Sequence, residues 1–358
     1  MEKNHNGLPL KIETGLWKAG HIQGIAVDTK REYIYYSFTT ILVKAKLDGT
    51  IVGWVDGLIG HLGCMDFNDE DGKIYASLEL KHDSIGQGIM KRLDIQIAEE
   101  DAFYIAIFDV DKITRPDMNA EADGIMKAVY VKEVAEWYAA KAPNGKDHKY
   151  ACSGIDGISV GRVFGKEKGS ESRLMVACGI YGDNERDDND CNIILQYDWR
   201  TLDEYARPLT QMEPHHVGPE SAEQMYFLFT GNTKWGIQNL EYDAFTGDWL
   251  VAVYRGAKEE YPNHAMYIID GDVAPYESYV TYGEKGKCLT LKKEGVYHER
   301  SGVYGSNFPK GQTGLYSFGD GLYYVSHEYK TPEKEQGGHI KLYRRAEDTA
   351  TLFEEVTE

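Results

Sequence analysis

Short runs in which apolar and polar residues alternate recur along the whole chain. The first group, residues 21–57, contains HIQGIAVD, REYIYYS, TILVKAKLDGT and IVGWVDG, with Asp, Gly and Lys between the runs. Alternation with a period of two is typical of β-strands, and short polar breaks of this kind are typical of hairpin turns. Four successive strands in about 40 residues predict an antiparallel meander, which is the unit of a β-propeller blade.

The same unit recurs along the chain. First strands of blades are predicted to begin near residues 21, 61, 154, 236 and 314. Only the first two starts are about one blade length apart, because long insertions separate the later ones. The pattern predicts an all-β fold, a single five-bladed β-propeller domain over residues 1–358. A sixth blade, or a β-sandwich whose strands imitate a repeat, is the alternative.

Three further features complete the predicted architecture. The alternating run KIETGLW at 11–17 predicts a clasp strand, so that the N- and C-terminal strands pair and close the ring without an exposed sheet edge. Residues 131–141 have helical spacing and stop at a Pro-Asn-Gly turn, and they are the one predicted helix outside short loop turns. The outer strands of the third and fourth blades are placed at 202–210 and 276–282.

Charge and cysteine content narrow the class of function. The chain has 58 acidic and 39 basic residues, a formal net charge of −19. Such a surface repels phosphate backbones and anionic lipids, so neither a nucleic acid nor a membrane is an expected partner. Five cysteines without CxxC spacing and an N-terminal run without a secretory pattern favour a cytoplasmic protein with reduced thiols. A small molecule or a glycan is the expected ligand.

Long polar and aromatic segments are predicted on one face of the propeller. Connections into the innermost strands, and those between second and third strands, lie at the same end of the channel, and here they are long. Loops on one end of a rigid scaffold commonly form binding sites. We therefore expect the largest pocket at this end, lined mainly by segments 78–88, 145–153, 180–186, 213–235, 254–264, 295–308 and 326–332.

The candidate catalytic residues are carboxylates at strand ends on this face or near the channel axis. A pair of carboxyl groups across a cleft is required for glycoside cleavage. Imidazole, guanidinium and aromatic groups in the same segments suit a hydroxylated or anionic ligand. The catalytic candidates are Glu79, Glu328, Asp156 and Asp183. The substrate-binding candidates are His21, His61, His82, Arg255, Arg300, His298, His327, Trp235 and Tyr181.

The sequence contains two candidate sites for a metal cofactor. His21 and His61 begin equivalent inner strands, and with Asp156 they predict a polar ring at the channel mouth that would hold a divalent metal or a water cluster. The run Asp183–Asp190 contains five carboxylates and two Asn, oxygen ligands that suit Ca²⁺, although the spacing is not that of an EF-hand. The alternatives are ordered water in the channel and an acidic surface loop without an ion.

The stretch GIAVDTKREYIYYS, residues 24–37, resembles the inner strands of NHL-type and gluconolactonase-like propellers. The chain as a whole resembles the β-propeller class, which includes glycosidase-type propellers, but the S-x-D-x-G-x-T-W box and the WD40 and kelch signatures are missing. The resemblance implies the fold and does not select a reaction. We expect a carbohydrate-active hydrolase or lyase. The alternatives are a non-catalytic glycan- or protein-binding propeller and a metal-dependent lactonase or esterase.

Overall fold

The computed structural model describes residues 3–4, 7–30 and 32–357, and most of its regular structure is β. Five sheets are each built on an antiparallel meander. The innermost strand of each sheet contacts those of the sheets on either side, and the fifth contacts the first. The described chain therefore forms a closed ring of five blades. The predicted five-bladed propeller is confirmed, and the six-bladed and sandwich alternatives are wrong.

The blades are numbered in chain order, and their strands are given from the channel outward. Blade 1 consists of Ile22–Val27, Tyr33–Phe38, Ile41–Lys46, Ile51–Asp56 and Met118–Asn119. Blade 2 consists of His61–Asn68, Lys73–Leu80, Ala102–Phe108, Met126–Tyr130 and Arg207–Pro208. Blade 3 consists of Cys152–Arg162, Ser172–Ile180, Cys191–Tyr197, Gln224–Phe229, Lys285–Cys288 and Tyr276–Tyr279.

Blades 4 and 5 complete the ring. Blade 4 consists of Thr233–Asp243, Asp248–Arg255 and Met266–Ile269. Blade 5 consists of Leu315–Ser317, Leu322–Lys330 and Gln336–Arg345, with Lys11–Glu13 and Phe353–Glu355 at its outer edge. A separate hairpin pairs Val296–His298 with Val303–Gly305.

The two ends of the chain close the ring together. Lys11–Glu13 pairs antiparallel with residues 339–341 of blade 5, and Phe353–Glu355 pairs with residues 343–345 farther along the same strand. Closure by terminal strands is therefore confirmed. Of the predicted run 11–17, only the first three residues form a strand, and Trp17 adds an isolated bridge.

Two predicted outer strands belong to other blades. Residues 202–210 do not form the edge of blade 3: Arg207–Pro208 pairs with blade 2, at an edge position that Pro208, which lacks an N–H, can occupy. Gln224–Phe229 is instead the fourth strand of blade 3, and its Phe227 side chain is buried. Tyr276–Tyr279 joins blade 3 rather than blade 4, which has three strands among the residues described.

The described residues contain three α-helices. They are Ser84–Leu93 (α1), Lys132–Ala139 (α2) and Trp199–Leu202 (α3), and single 3-10 turns are formed by Val110–Lys112, Lys149–Ala151 and Thr281–Gly283. Helix α2 confirms the predicted helix. Helix α1 was not predicted, because two glycines lower its helical propensity. The Asp83 side chain caps α1, and Gly86 is required because a Cβ there would lie 1.6 Å from the Lys81 carbonyl oxygen. No helix in the described part of the chain is both long and apolar enough to cross a bilayer.

Candidate functional site

A cavity of about 520 Å³ opens at one end of the central channel. Its base is formed by the inner strands of blades 1 to 4, and one wall is formed by α1. Trp235 and Tyr254 add aromatic surface. The polar and charged lining residues are His21, Gln23, Thr39, His61, Glu79, Lys81, Ser84, Arg92, Ser153, Asp156, Lys234, Gln238 and Gln336.

Register shifts in the inner strands explain why so many polar side chains reach this cavity. The inner strands of blades 1 to 4 each depart from regular pairing near the cavity, at residues 22–24, 62–65, 155–158 and 237–239. A β-bulge turns a side chain away from the regular alternation and is frequent beside active sites. Asn239, at the last of these shifts, donates to the Gln23 and Gln312 carbonyls at 3.0 Å and links the inner strands of blades 1 and 4.

A buried ion pair forms the base of the cavity. Lys81 Nζ lies 2.8 Å from Glu79 Oε2 and 3.4 Å from Asp83 Oδ2, and it donates to the Ser153 carbonyl at 2.8 Å. Burial lowers the pKa of Lys81, but the two carboxylates outweigh burial and the net pKa is raised. Lys81 therefore remains an ammonium ion although it is buried.

Glu79 is held by donors on several sides. Its Oε1 accepts the Ile155 N–H at 2.8 Å, and its Oε2 lies 3.2 Å from His61 Nδ1 without the alignment of a hydrogen bond. At Gly154, where φ is +126°, a Cβ would lie 1.8 Å from Glu79 Oε1. A side chain at 154 would displace the carboxylate. Glu79 and His61 are only 3% and 5% exposed, so both are fixed in position.

Asp156 is the second carboxyl group of the cavity. It is buried and accepts the Cys64 N–H at 3.2 Å. Burial raises its pKa to about 7, assisted by the charge of Glu79 and opposed by His61 and Lys81. A carboxyl group with such a pKa is partly protonated at neutral pH and can donate a proton.

His21 lies at the edge of the same cavity. Its Nδ1 is 2.8 Å from the Ile22 carbonyl oxygen and 3.5 Å from Glu328 Oε2, and its Nε2 is 3.2 Å from Gln23 Nε2. Burial lowers the pKa of His21, although the Ile22 carbonyl and Glu328 oppose this effect. The structure therefore brings His21, His61, Glu79, Asp156 and Trp235 of the predicted site into one cavity.

Three of the predicted residues line smaller, adjoining cavities. Tyr181 and Arg255 line a cavity of about 150 Å³ that shares Lys234 and Trp235 with the main one. Glu328 lines a cavity of about 260 Å³ that also contains Arg255.

The remaining predicted residues lie outside these cavities. His82 Nδ1 is 3.1 Å from Asp101, and Asp183 is 3.1 Å from Lys146 Nζ. His298 Nδ1 is 2.7 Å from Ser301 Oγ, and Arg300 lies in the turn of that hairpin. His327 contacts the Tyr343 hydroxyl at 2.9 Å, and burial lowers its pKa to about 4.

The expected segments supply only part of the lining of the main cavity: 78–88, 145–153, 213–235 and 254–264 contribute residues, and most of the others come from inner strands and the rest of α1. Segments 180–186, 295–308 and 326–332 contribute no residue to it. The hairpin within 295–308 lies against blade 4, since Ser306 pairs with Met266. Sequence analysis missed Lys81, Arg92 and Lys234 as well. Only Lys81 carried a signal, because its spacing of two from Glu79 places both side chains on the same face of a strand.

Neither expected metal site has a suitable set of ligands. Among the described residues, no three His, Cys, Asp or Glu side chains are arranged to hold a metal ion. At the channel mouth, the Lys81 ammonium already neutralises Glu79, and Asp156 and His21 are engaged by backbone groups.

The carboxylates of Asp183–Asp190, the other expected metal site, pair with protein cations. Arg186 binds both carboxylate oxygens of Asp188, at 2.7 and 2.8 Å. Lys258 Nζ lies 2.5 Å from Asp190. Protein cations therefore neutralise the carboxylates on which a calcium ion would depend.

No protein-family model matches the chain, and no curated protein matches it. Solved structures similar to it include the soluble aldose sugar dehydrogenase of Escherichia coli in the apo form (9% identity, TM-score 0.40, 92% of this chain and 98% of that one). Others are the β-propeller domain of Myceliophteria thermophila Cps50 (Swd1) (11%, 0.32, 91% and 84%) and a mutant of Cellvibrio cellulosa α-L-arabinanase (10%, 0.41, 94% and 95%). Likenesses this distant assign no chemistry to the cavity, and its own residues must do so.

Proposed function

We propose that the protein is a carbohydrate-active enzyme, a glycoside hydrolase or lyase, whose active site is the axial cavity. The observation that carries the proposal is Asp156, a buried carboxyl group with a pKa raised to about 7, beside a second, differently held carboxyl group at the base of a 520 Å³ cavity. A carboxyl group with a pKa raised in this way is suited to donate a proton, while a neighbouring group acts as the base.

Asp156 is assigned the role of general acid. It donates its proton to the oxygen of the leaving sugar as the glycosidic bond breaks. His61 is assigned the role of base, because its Nδ1 faces Glu79 and its other ring nitrogen is left for the cavity. His61 takes a proton from water in a hydrolase, or from a sugar carbon in a lyase. Glu79 stabilises the imidazolium that forms, and Lys81 keeps Glu79 in place.

Neutral groups of the cavity suit a sugar ring. Trp235 and Tyr254 offer apolar faces for stacking, and Gln23, Thr39 and Gln238 offer donors and acceptors for hydroxyl groups. The cavity volume is within the range of small-ligand sites.

The test is a turnover screen on neutral and acidic oligosaccharides that records both reducing ends and unsaturated products. Asp156→Asn is expected to lower turnover by about 10²–10⁴-fold, the contribution of a general acid, while the ligand still raises the melting temperature. Asp66→Asn is the matched control, since Asp66 is also buried on an inner strand but lines no described cavity. Full turnover by Asp156→Asn would refute the assignment.

A glycan-binding protein without catalysis is the second candidate. It is favoured by the contacts of Glu79, whose two oxygens are already engaged by Ile155, Lys81 and His61. A glycan that raises the melting temperature of wild type and Asp156→Asn equally, without product, would select this candidate.

A further inference from the structure

Two cations of the main cavity have no partner among the residues that the structure describes. Arg92 in α1 and Lys234 in the inner strand of blade 4 line the main cavity and are exposed. In the part of the chain that the structure describes, neither forms an ion pair or a side-chain hydrogen bond. On a protein with a net charge of −19, two uncompensated positive charges at one opening attract an anionic ligand.

The carboxylates of the main cavity do not neutralise these two cations. Glu79 is buried at the base of the cavity and forms an ion pair with Lys81. Asp156 is also buried and accepts a hydrogen bond from the Cys64 N–H. The 150 Å³ cavity is lined by Lys234 and Arg255 and by no acidic residue. Arg92 and Lys234 therefore lie at the opening, whereas the two carboxyl groups that line the main cavity lie at its base. Glu328 lies beside the opening, 3.5 Å from His21 and in the 260 Å³ cavity.

The cavities share walls, so one ligand can occupy more than one of them. Lys234 and Trp235 line both the 520 Å³ and the 150 Å³ cavities. Tyr254 lines both the main cavity and the 260 Å³ cavity, which contains Arg255 and Lys310. A chain of sugar residues, rather than a single one, matches this arrangement.

Trp235 lies where the two cavities with the shared cations meet. Its φ is +68°, a conformation that is costly for a residue with a side chain and is concentrated at functional sites. Its ring contacts Tyr181 edge-on, with 5.6 Å between the centroids. The backbone therefore holds a fixed aromatic group at the boundary, where it can stack on a sugar shared between the cavities.

We propose that the ligand is an acidic oligosaccharide containing uronic acid, which extends from the main cavity across Trp235 into the 150 Å³ cavity. Lys234 and Arg255 bind the carboxylate of one sugar residue there, and Arg92 faces the sugar in the main cavity. This inference rests on the proposed function for the identity of the ligand as a glycan, but it concerns binding and does not require cleavage.

The test measures the affinity of Asp156→Asn protein for uronic-acid trisaccharides of several linkages and for their neutral methyl esters, by calorimetry. The acid forms are expected to bind at least about tenfold more tightly than the esters, and added salt should reduce the difference. Lys234→Gln should weaken acid binding by about tenfold and leave ester binding unchanged. Arg255→Gln should weaken the trisaccharide but not a uronic-acid monosaccharide.

Lys168→Gln is the matched control, because Lys168 is an exposed lysine in a cavity formed by other residues and should change none of these affinities. Equal binding of acids and esters would overturn the proposal, as would a Lys234→Gln effect no larger than that of Lys168→Gln. Wild-type cleavage of a neutral glycan alone would leave the proposed function standing and refute this inference. Tight binding of the acid forms without cleavage of any glycan would support this inference and refute the proposed enzymatic function.

Discussion

Buried carboxyl groups lie at two levels of the channel, and the two groups differ in their surroundings. Glu79 and Asp156 lie beside His61 and Lys81 and line a cavity. Asp66 and Glu241, on the innermost strands of blades 2 and 4, line none of the described cavities. The first group is therefore available to a ligand, and the second joins neighbouring blades.

Hydroxyl and N–H groups satisfy the second group. Asp66 accepts Ser159 Oγ at 3.0 Å and the Val160 N–H at 2.8 Å, which links blade 2 to blade 3. Glu241 accepts the Ser317 N–H at 2.6 Å, which links blade 4 to blade 5. Burial raises the pKa of Asp66 to about 6 and raises that of Glu241 as well. A raised pKa thus occurs at Asp156 and also at both residues of the second group. It is the cavity with its nearby cations that distinguishes a candidate site from a structural contact.

The largest effect on stability is expected when the buried pair at the cavity base is broken. Lys81→Met leaves the Glu79 carboxylate buried without its ammonium partner, and it should lower the free energy of unfolding by about 3–5 kcal/mol. Denaturant unfolding measures the change. The double variant Glu79→Gln/Lys81→Met removes the orphaned charge and should recover part of the loss. If the double variant were no more stable than Lys81→Met, the two side chains would not be coupled.

The pair also shows how far the sequence predicted the site. The sequence predicts Glu79 as a strand-end carboxylate on the loop-rich face, but in the structure Glu79 is buried among Lys81, His61 and the Ile155 N–H. Strand alternation and turn residues sufficed for the blades, because they are local signals. The exchange of edge strands at Arg207–Pro208 and Tyr276–Tyr279 depends on long-range pairing. The placement of Lys234 and Arg92 beside one cavity is likewise a product of the closed ring, which no local pattern records.

The pH dependence of stability should distinguish Asp156 from its asparagine variant. Its folded pKa of about 7 lies above the ordinary value of 3.8, so the unfolded chain releases this proton first and the free energy of unfolding falls as pH rises from about 4 to 7. At about 1.4 kcal/mol per pKa unit, the effect is on the order of 4 kcal/mol. Asp156→Asn should remove this part of the slope in urea unfolding at pH 4–8. An unchanged slope would mean that Asp156 is ionised in the folded protein throughout this range.

A smaller effect is expected at Asp243, which belongs with the second group because it is buried on the innermost strand of blade 4 and lines none of the described cavities. Tyr323 donates its hydroxyl to Asp243 Oδ2 at 2.7 Å, and both residues are buried. Tyr323→Phe should lower the free energy of unfolding by about 1–2 kcal/mol and leave ligand affinity unchanged. Tyr279→Phe, at a residue that is 74% exposed, is the matched control and should have no measurable effect. Loss of ligand affinity in Tyr323→Phe would show that the two groups of carboxyl groups are not independent.

Adding or removing calcium is expected to have no effect on the melting temperature. Asp183–Asp190 is a third concentration of carboxylates, but Arg186 and Lys258 neutralise it, and Tyr261 donates to Asp190 Oδ2 at 2.8 Å. A calcium ion would have to displace these groups before it gained ligands. Thermal unfolding should therefore give one melting temperature in EDTA and in millimolar Ca²⁺. The variant Lys258→Met tests the cause, since it frees Asp190 and should create a calcium-dependent rise in melting temperature; a rise already present in wild type would show that these cations do not exclude the metal.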